Sequence, residues 1–307
     1  MQVIPCGWTN PHAKIYIGRG ALVNVAQLKK ELNWVRAIDP LFDQRFFIDY
    51  KAGVLDEKFA LQEGHTTGEL HQRIGSTGEG VGVARIARIQ RNPNNFRFFH
   101  ELPETEGLAQ FCFDTVATLN YYNCLGENIL LEGAQGSALS LIHGSWPYVT
   151  SHDTNAAQLA ADIGIAPQHI TDVMLVARTY PIRVAGNSGY LHQEITWDKL
   201  STKLGKHTQE QTTVTKKIRR IGEWDDSLID RAVLLNAPTC MAMMFVDYLD
   251  PVDSGVDEYN NLSITTKNFI KYVENKWQVP ITLIGTGGYE KDNKFHVVDR
   301  TKGVIHG

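Results

Sequence analysis

The sequence predicts an α/β protein built around a sheet. Three observations carry that prediction. Short apolar runs alternate with amphipathic stretches of helical period. Glycine loops follow several of the apolar runs. No internal repeat and no low-complexity linker interrupts the alternation. In α/β sheets ligands bind at the carboxyl ends of strands, so the residues after each strand are the places to look for chemistry.

In chain order, Lys14–Gly18 (KIYIG) reads as a buried strand. Ala21–Val35 reads as a helix, because Leu22, Val25, Leu28, Leu32 and Val35 share one stripe. Asn128–Gly133 (NILLEG) reads as a strand running into a glycine turn. Asn155–Ile163 reads as a helix, capped by Asp153 or Thr154 and closed by Gly164. Asp172–Ala177 is a second candidate strand. Asp226–Leu235 is a helix with Asp225 as its cap. Met241–Leu249 is apolar enough for a central strand. Thr265–Trp277 is a helix with Phe269, Tyr272, Val273 and Trp277 on its apolar side. Ile281–Gly288 is a strand followed by a glycine loop.

Composition narrows the function class. The 307 residues are 43% hydrophobic and 21% charged, an ordinary globular mixture that fills one large or two medium domains. A net charge of -4 gives no global field to recruit nucleic acid or an anionic membrane, so neither is expected as a partner. No apolar run approaches the roughly 18 residues of a membrane span. The start MQVIPCGWTNPH lacks the basic-then-apolar pattern of a secretory signal. Cys6, Cys112, Cys124 and Cys240 show neither a C-x-x-C pair nor metal-ligand spacing. A reducing, cytoplasmic setting fits them best.

Five segments carry candidate chemistry. Ile74–Gly82 (IGSTGEGVG) holds four glycines in eight residues. That lets backbone N–H groups approach an anion, and Ser76 and Thr77 add hydroxyl donors. It is not a P-loop, since no Gly-Lys-Ser/Thr follows, and a solvated glycine loop is the plain alternative. Glu132–Gly136 (EGAQG) puts Gln135 after the NILL run, where its amide could pair with a purine edge; a structural turn is the alternative. Pro147–Thr154 (PYVTSHDT) is a hydroxyl cluster at a helix start, suited to an anion or to simple capping. Thr212–Arg220 (TTVTKKIRR) carries four cations in five residues behind three threonines. Such a run suits a carboxylate or phosphate, or a solvated charged face. In Phe245–Asp250 (FVDYLD), Asp247 ends an apolar run and could accept from guanine N1–H and N2–H, or cap a turn. The histidines, His143 and His152 among them, form no metal or triad motif and read as structural or exposed.

Singly these signals are weak, but their order and spacing are specific. IGSTGEGVG, LLEGAQG, WPYVTS, ARTYPIRVAGNSG, TTVTKKIRR and FVDYLD in succession resemble adenylosuccinate synthetase, from VIPCG to LIGTGG. GSTGxG, QRNP at Gln90–Pro93, RTYPIRVAGNSG, ITWDKL and TTVTKKIRR look closest to the phage branch of that family. That branch makes N6-succino-2-amino-2'-deoxyadenylate from dGMP and aspartate, on the route to 2-aminoadenine DNA. The ordinary enzyme acts on IMP.

The resemblance implies a P-loop-NTPase-like α/β fold with a central, mostly parallel sheet, as a single domain over residues 1–307. It implies a carbon–nitrogen ligase that uses magnesium and a nucleoside triphosphate (ATP, dATP or GTP), working in the cytoplasm, of a host cell if phage-encoded. By position, Ser76, Thr77 and Thr150 would hold the nucleotide 5'-phosphate side, and Val184 and Gly186 would line base and sugar. Gln135 would sit at the purine 6-oxygen as the catalytic residue. Arg91, fourteen residues after Thr77, would reach a neighbouring subunit's nucleotide, which implies a homodimer. Thr213, Val214, Thr215, Lys216 and Lys217 would close on L-aspartate, with Lys217 standing where the family usually has arginine. Arg219, Asp247, Gly285, Thr286 and Gly287 would take the triphosphate donor. Phe245 replaces a lysine there, and Asp247 leans towards guanine.

One departure bears on activity. The family opens with a strand and a loop of the form GDEGKGK, or GSTGKG in the phage branch, then an asparagine and a Gly-His. MQVIPCG corresponds to sequence after these. The resemblance therefore assigns no metal ligand within this chain, and places the first strand, the phosphate loop and the catalytic histidine outside it. Weak nucleotide binding with slow or no turnover is expected, and a catalytically incomplete nucleotide-binding or dimerisation protein is the competing class.

Overall fold

The computed structural model describes residues 1–213 and 215–301. They cluster into two compact units, Met1–Gln72 with Ser76–Ile170, and Arg73–Gly75 with Thr171 onward. The boundary falls inside α3 (Glu69–Ile74).

In the first unit, β1 (Ile15–Ile17), β3 (Phe46–Asp49) and β5 (Cys112–Phe113) form an all-parallel sheet in the order β1-β3-β5. A parallel pair joins β2 (Leu22–Val23) to β4 (Gly53–Val54). That pair corrects the reading of Ala21–Val35 as one helix. Asn24 accepts from the Gln27 N–H at 3.0 Å and starts α1 only at Val25, so α1 is Val25–Ile38. Leu22 and Val23 have a ladder partner available and take it. Leu28, Leu32 and Val35 then bury against Phe42, Phe46, Ile48 and Phe111. Burial of this kind stabilises by about 25 cal/mol per Å² of apolar surface.

The unit also carries α2 (Glu57–Glu63), α4 (Val81–Gln90), α5 (Thr115–Cys124) and α6 (Ala156–Ile163). Phe59 of α2 packs with Ala84 and Ala87 of α4 and with Phe96. The cap of α6 is Asn155, accepting from the Gln158 N–H at 2.9 Å, rather than Asp153 or Thr154. Gly164, at φ 75°, closes the helix as expected. Asn128–Gly133 is not a strand: it is unpaired among the described residues, and Leu130 is 90% exposed. An apolar run becomes a strand only where a neighbour offers its backbone groups.

In the second unit a four-stranded sheet runs β12-β11-β10-β6. Here β6 (Met174–Arg178), β10 (Cys240–Met244) and β11 (Ile281–Gly287) are parallel, and β12 (His296–Asp299) is antiparallel. Asp225 caps α8 (Asp226–Asn236), and Ser263 caps α9 (Ile264–Trp277). Met241, Met243, Ile281 and Ile284 bury against Ile270 and Val273 of α9. A small antiparallel sheet joins β7 (Ile182–Arg183), β8 (Glu194–Ile195) and β9 (Arg220–Gly222), packed beside α7 (Trp197–Leu204). A short α10 (Tyr289–Asp292) follows β11. The strand read as Met241–Leu249 stops at Met244. Phe245 sits at φ 62° with its ring under the Arg178 guanidinium, 4.2 Å away, and Val246–Tyr248 turn as a single 3-10 coil.

Candidate functional site

The glycine loop in the first unit is anchored rather than loose. Glu63, the last residue of α2, accepts from Ser76 Oγ at 2.9 Å and from the Gly80 N–H. The Gly78 N–H donates to Ser76 Oγ at 3.2 Å. Gly80 needs to be glycine: its φ is 81°, and a Cβ there would lie 2.4 Å from the Ala60 nitrogen. Thr77 is left exposed at the crown of this loop. Arg91, in the left-handed region at φ 57°, ends α4 and is exposed. Ser76 is thus engaged within the loop, while Thr77 and Arg91 face outward.

Gln135 is exposed on a segment tied at both ends. The Cys6 N–H donates to Glu132 Oε2 at 2.9 Å, and Thr154 Oγ1 donates to the Gly136 carbonyl at 3.0 Å. Thr150 is held through its backbone, N–H to the Leu139 carbonyl at 2.8 Å. Of the next two residues, Ser151 belongs to the hydroxyl cluster read from the sequence, and His152 was expected only as a structural or exposed histidine. Ser151 and His152 lie against the first turns of α4, where a Cβ on Gly82 would come 3.9 Å from Ser151 Cβ. Burial, then the nearby Arg85 guanidinium, push the His152 imidazole below its ordinary pKa. Burial also pushes Arg85 down, partly offset by Asp162.

In the second unit, Val184–Gly189 forms a loop fixed by two arginines paired across β7 and β9. Arg183 Nη1 donates to the Ser188 carbonyl at 2.6 Å, and Arg220 Nη1 to the Gly189 carbonyl at 2.7 Å. Arg220 is itself held by Glu194 at 2.6 Å. Gly186, at φ 78°, has open space where a side chain would be, so its backbone is accessible. Gly75 packs beside this loop: a Cβ there would lie 3.1 Å from Val184 Cγ2.

The TTVTKKIRR segment folds around Thr212, which is buried. Its Oγ1 contacts Thr215 Oγ1 at 2.6 Å and accepts from the Lys217 N–H at 3.1 Å. Lys216 takes φ 53° to make the turn, and Gln211 bridges Ile218. Thr213, Lys216 and Lys217 are exposed on it; Val214 lies outside the described residues. Arg219 spends its Nε on the Gln211 carbonyl at 3.4 Å. The base of the loop is fastened by Glu210, which grips Arg178 at 2.5 Å and accepts from Tyr248 Oη at 3.3 Å. Burial, reinforced by Glu210, pushes the Tyr248 phenol well above its ordinary range.

Among the expected donor residues, Asp247 and Gly287 are brought together. Asp247 is 4% exposed, and a Cβ on Gly287 would meet its Oδ2 at 2.7 Å. Gly285 packs on Met244 in the same way, at 2.5 Å from Met244 Cε. Thr286 points inward instead, donating to the Val256 and His296 carbonyls at 2.9 and 3.2 Å, so its hydroxyl holds the fold. Among the described residues, no group of three or more histidine, cysteine or acidic side chains is placed to hold a metal ion.

The family model described as adenylosuccinate synthetase matches residues 1–106 and 97–255. The chain belongs to the adenylosuccinate synthetase family. It is 36% identical to the adenylosuccinate synthetase of Methanocaldococcus jannaschii over 287 residues, 94% of this chain and 79% of that protein. It is 34% identical to the Archaeoglobus fulgidus enzyme, covering 94% of this chain and 80% of that one. The fully ligated Plasmodium falciparum adenylosuccinate synthetase shares the fold at TM-score 0.81, with 18% identity over 97% of this chain and 88% of that chain. The cyanophage S-2L succinoaminodeoxyadenylate synthetase, solved bound to dGMP and dATP, aligns at TM-score 0.75 with 27% identity, over 98% of this chain and 80% of that chain. Adenylosuccinate synthetases are carbon–nitrogen ligases of purine biosynthesis, and in general use GTP and magnesium. The α/β architecture expected from the sequence is that of this family. No helix among the described residues is long and apolar enough to cross a membrane.

Proposed function

We propose that this adenylosuccinate-synthetase-type ligase joins L-aspartate to C6 of dGMP, giving N6-succino-2-amino-2'-deoxyadenylate. The observation that carries the choice of dGMP is the 27% identity, across 98% of the chain, to the cyanophage enzyme solved with dGMP and dATP. The segments RTYPIRVAGNSG and TTVTKKIRR support it. IMP is the second reading, favoured by the 36% identity to archaeal adenylosuccinate synthetases.

The reaction has two steps. The purine 6-oxygen is first phosphorylated by the triphosphate; the aspartate amine then displaces phosphate at C6. Thr77 and Thr150 hold the 5'-phosphate, Ser76 shapes the loop that carries Thr77, and Gln135 meets the 6-oxygen. Val184 and Gly186 present base and sugar with backbone groups. Thr213 to Lys217 close on the aspartate carboxylates, a lysine giving a point charge where arginine would give a fork. Arg219, Asp247, Gly285 and Gly287 form the donor side, with Asp247 favouring guanine over adenine. Arg91 acts across a homodimer. One domain in a cytoplasmic setting completes the reading.

Offering dGMP and IMP separately, with aspartate, a triphosphate and magnesium, tests it. Faster product formation from dGMP, and its tighter binding by calorimetry, is the expected result. Preference for IMP in both measurements returns the chain to the ordinary synthetases.

A further inference from the structure

Three polar atoms in the first unit are buried without a hydrogen-bond partner among the described residues: Arg85 Nε, Ser151 Oγ and His152 Nδ1. They come from segments more than sixty residues apart that fold against each other at the start of α4. A buried polar group without a partner is rare, because it forfeits its hydration for nothing. A guanidinium nitrogen buried without a partner is costlier still. All three can act as donors, given the appropriate imidazole tautomer or a protonated ring. A site of donors alone asks for an acceptor, and a guanidinium among them asks for a negative one.

The surrounding acids each accept from other hydrogen-bond donors, although the charge of Asp162 still acts on Arg85 and His152. Glu63, whose Oε1 lies 4.0 Å from a Cβ on Gly82, is occupied by Ser76 and Gly80. Asp162 accepts from Gln158 Nε2 at 2.8 Å. Asp153 accepts from Ser140 Oγ at 2.6 Å and from the Ile142 N–H at 3.0 Å. Arg88, one turn beyond Arg85, donates to the Arg19 carbonyl at 3.3 Å and adds a second positive charge.

We propose that Arg85, Ser151 and His152 form a phosphate-binding subsite, in which Arg85 supplies from within the chain a guanidinium for the phosphate monoester of the bound nucleotide. Thr150 precedes Ser151, and Thr77 lies three residues before Gly80, the N-cap of α4, so the subsite is next in the chain to the residues assigned above to the 5'-phosphate. Naming that monoester rests on the proposed function; the anion site itself does not. Arg85 would make phosphate binding depend less on Arg91 of a second subunit.

The test follows the ring signals of His152 by NMR in histidine-labelled protein, assigned by their loss in His152→Gln. Inorganic phosphate is titrated at constant ionic strength and pH. The expected result is a saturable shift whose apparent Kd rises at least tenfold in Arg85→Met, which keeps the aliphatic stem, and less in Arg85→Lys. The dGMP nucleotide should displace phosphate, whereas 2'-deoxyguanosine and L-aspartate should not. No saturable shift in the unsubstituted chain overturns the subsite. So does an unchanged Kd in folded Arg85→Met, or, if that variant does not fold, in both Arg85→Lys and Ser151→Ala. Arginine-dependent phosphate binding that dGMP fails to displace supports the subsite and counts against the nucleotide reading.

Discussion

Glu63 accepts from Ser76 Oγ at 2.9 Å, so a carboxylate at the end of α2 fastens the glycine loop that presents Thr77. The same carboxylate takes the Gly80 N–H. Replacing it should free the loop without unfolding the unit. Glu63→Ala is expected to cost about 1–3 kcal/mol, the usual penalty for orphaning buried donors. Hydrogen exchange should accelerate at the Gly78 and Gly80 amides while β1, β3 and β5 stay protected. Unchanged exchange at Gly80 would show that the loop holds itself.

Gly80 tests the same loop from its backbone. At φ 81°, with a Cβ 2.4 Å from the Ala60 nitrogen, alanine is both strained and in collision. Gly80→Ala should lose about 2 kcal/mol or more in urea unfolding. Gly126, also at positive φ but with nothing within 4 Å, gives the comparison: Gly126→Ala should cost only the backbone strain.

The Arg178–Glu210 pair, 2.5 Å apart and mostly shielded, anchors the cationic loop to β6. Removing either partner should destabilise by about 1–3 kcal/mol. A double-mutant cycle of Arg178→Met and Glu210→Gln should show coupling, since the residues share one bonded contact. Strict additivity would assign the anchoring to the Arg178–Phe245 stack instead.

Asp49 gives a pH dependence of known sign. Burial pushes its carboxyl up, but the Arg19 hydrogen bond, the Lys51 N–H and Thr115 outweigh that and hold it below the usual carboxylate range. A depressed folded pKa contributes stability above the unfolded value of about 3.9, and that stability is lost as pH falls through the folded pKa. Urea stability should therefore drop between pH 5 and pH 3, and Asp49→Asn should flatten that portion of the curve. An unaltered profile in the variant would place the acid sensitivity elsewhere.

Asp247 bears on the donor base. If its carboxylate accepts from guanine, Asp247→Asn should lower GTP affinity about tenfold, one charged hydrogen bond's worth, with little effect on ATP. Equal losses for both donors would make Asp247 a packing residue against Gly287.

Local signals explain what could be read in advance. The β1 strand, the Gly164 stop of α6, the Asp225 cap of α8 and the glycine end of β11 all rest on residues close in sequence. The misread strands share one cause. Whether Leu22–Val23 or Asn128–Gly133 becomes a strand depends on a partner strand, which composition does not reveal. The end of β10 was lost because Phe245 turns to stack on Arg178, 67 residues away. The glycine and hydroxyl motifs were visible because they are contiguous. Glu63 and Arg85 were not, and His152 read only as structural or exposed, because their meaning comes from contacts made only on folding.

The most direct test of the central claim is acceptor choice in a single competition. With dGMP and IMP at equal concentration, aspartate, magnesium and a triphosphate, the succinylated products are separated and counted. The account predicts N6-succino-2-amino-2'-deoxyadenylate in excess. Adenylosuccinate in excess would contradict it.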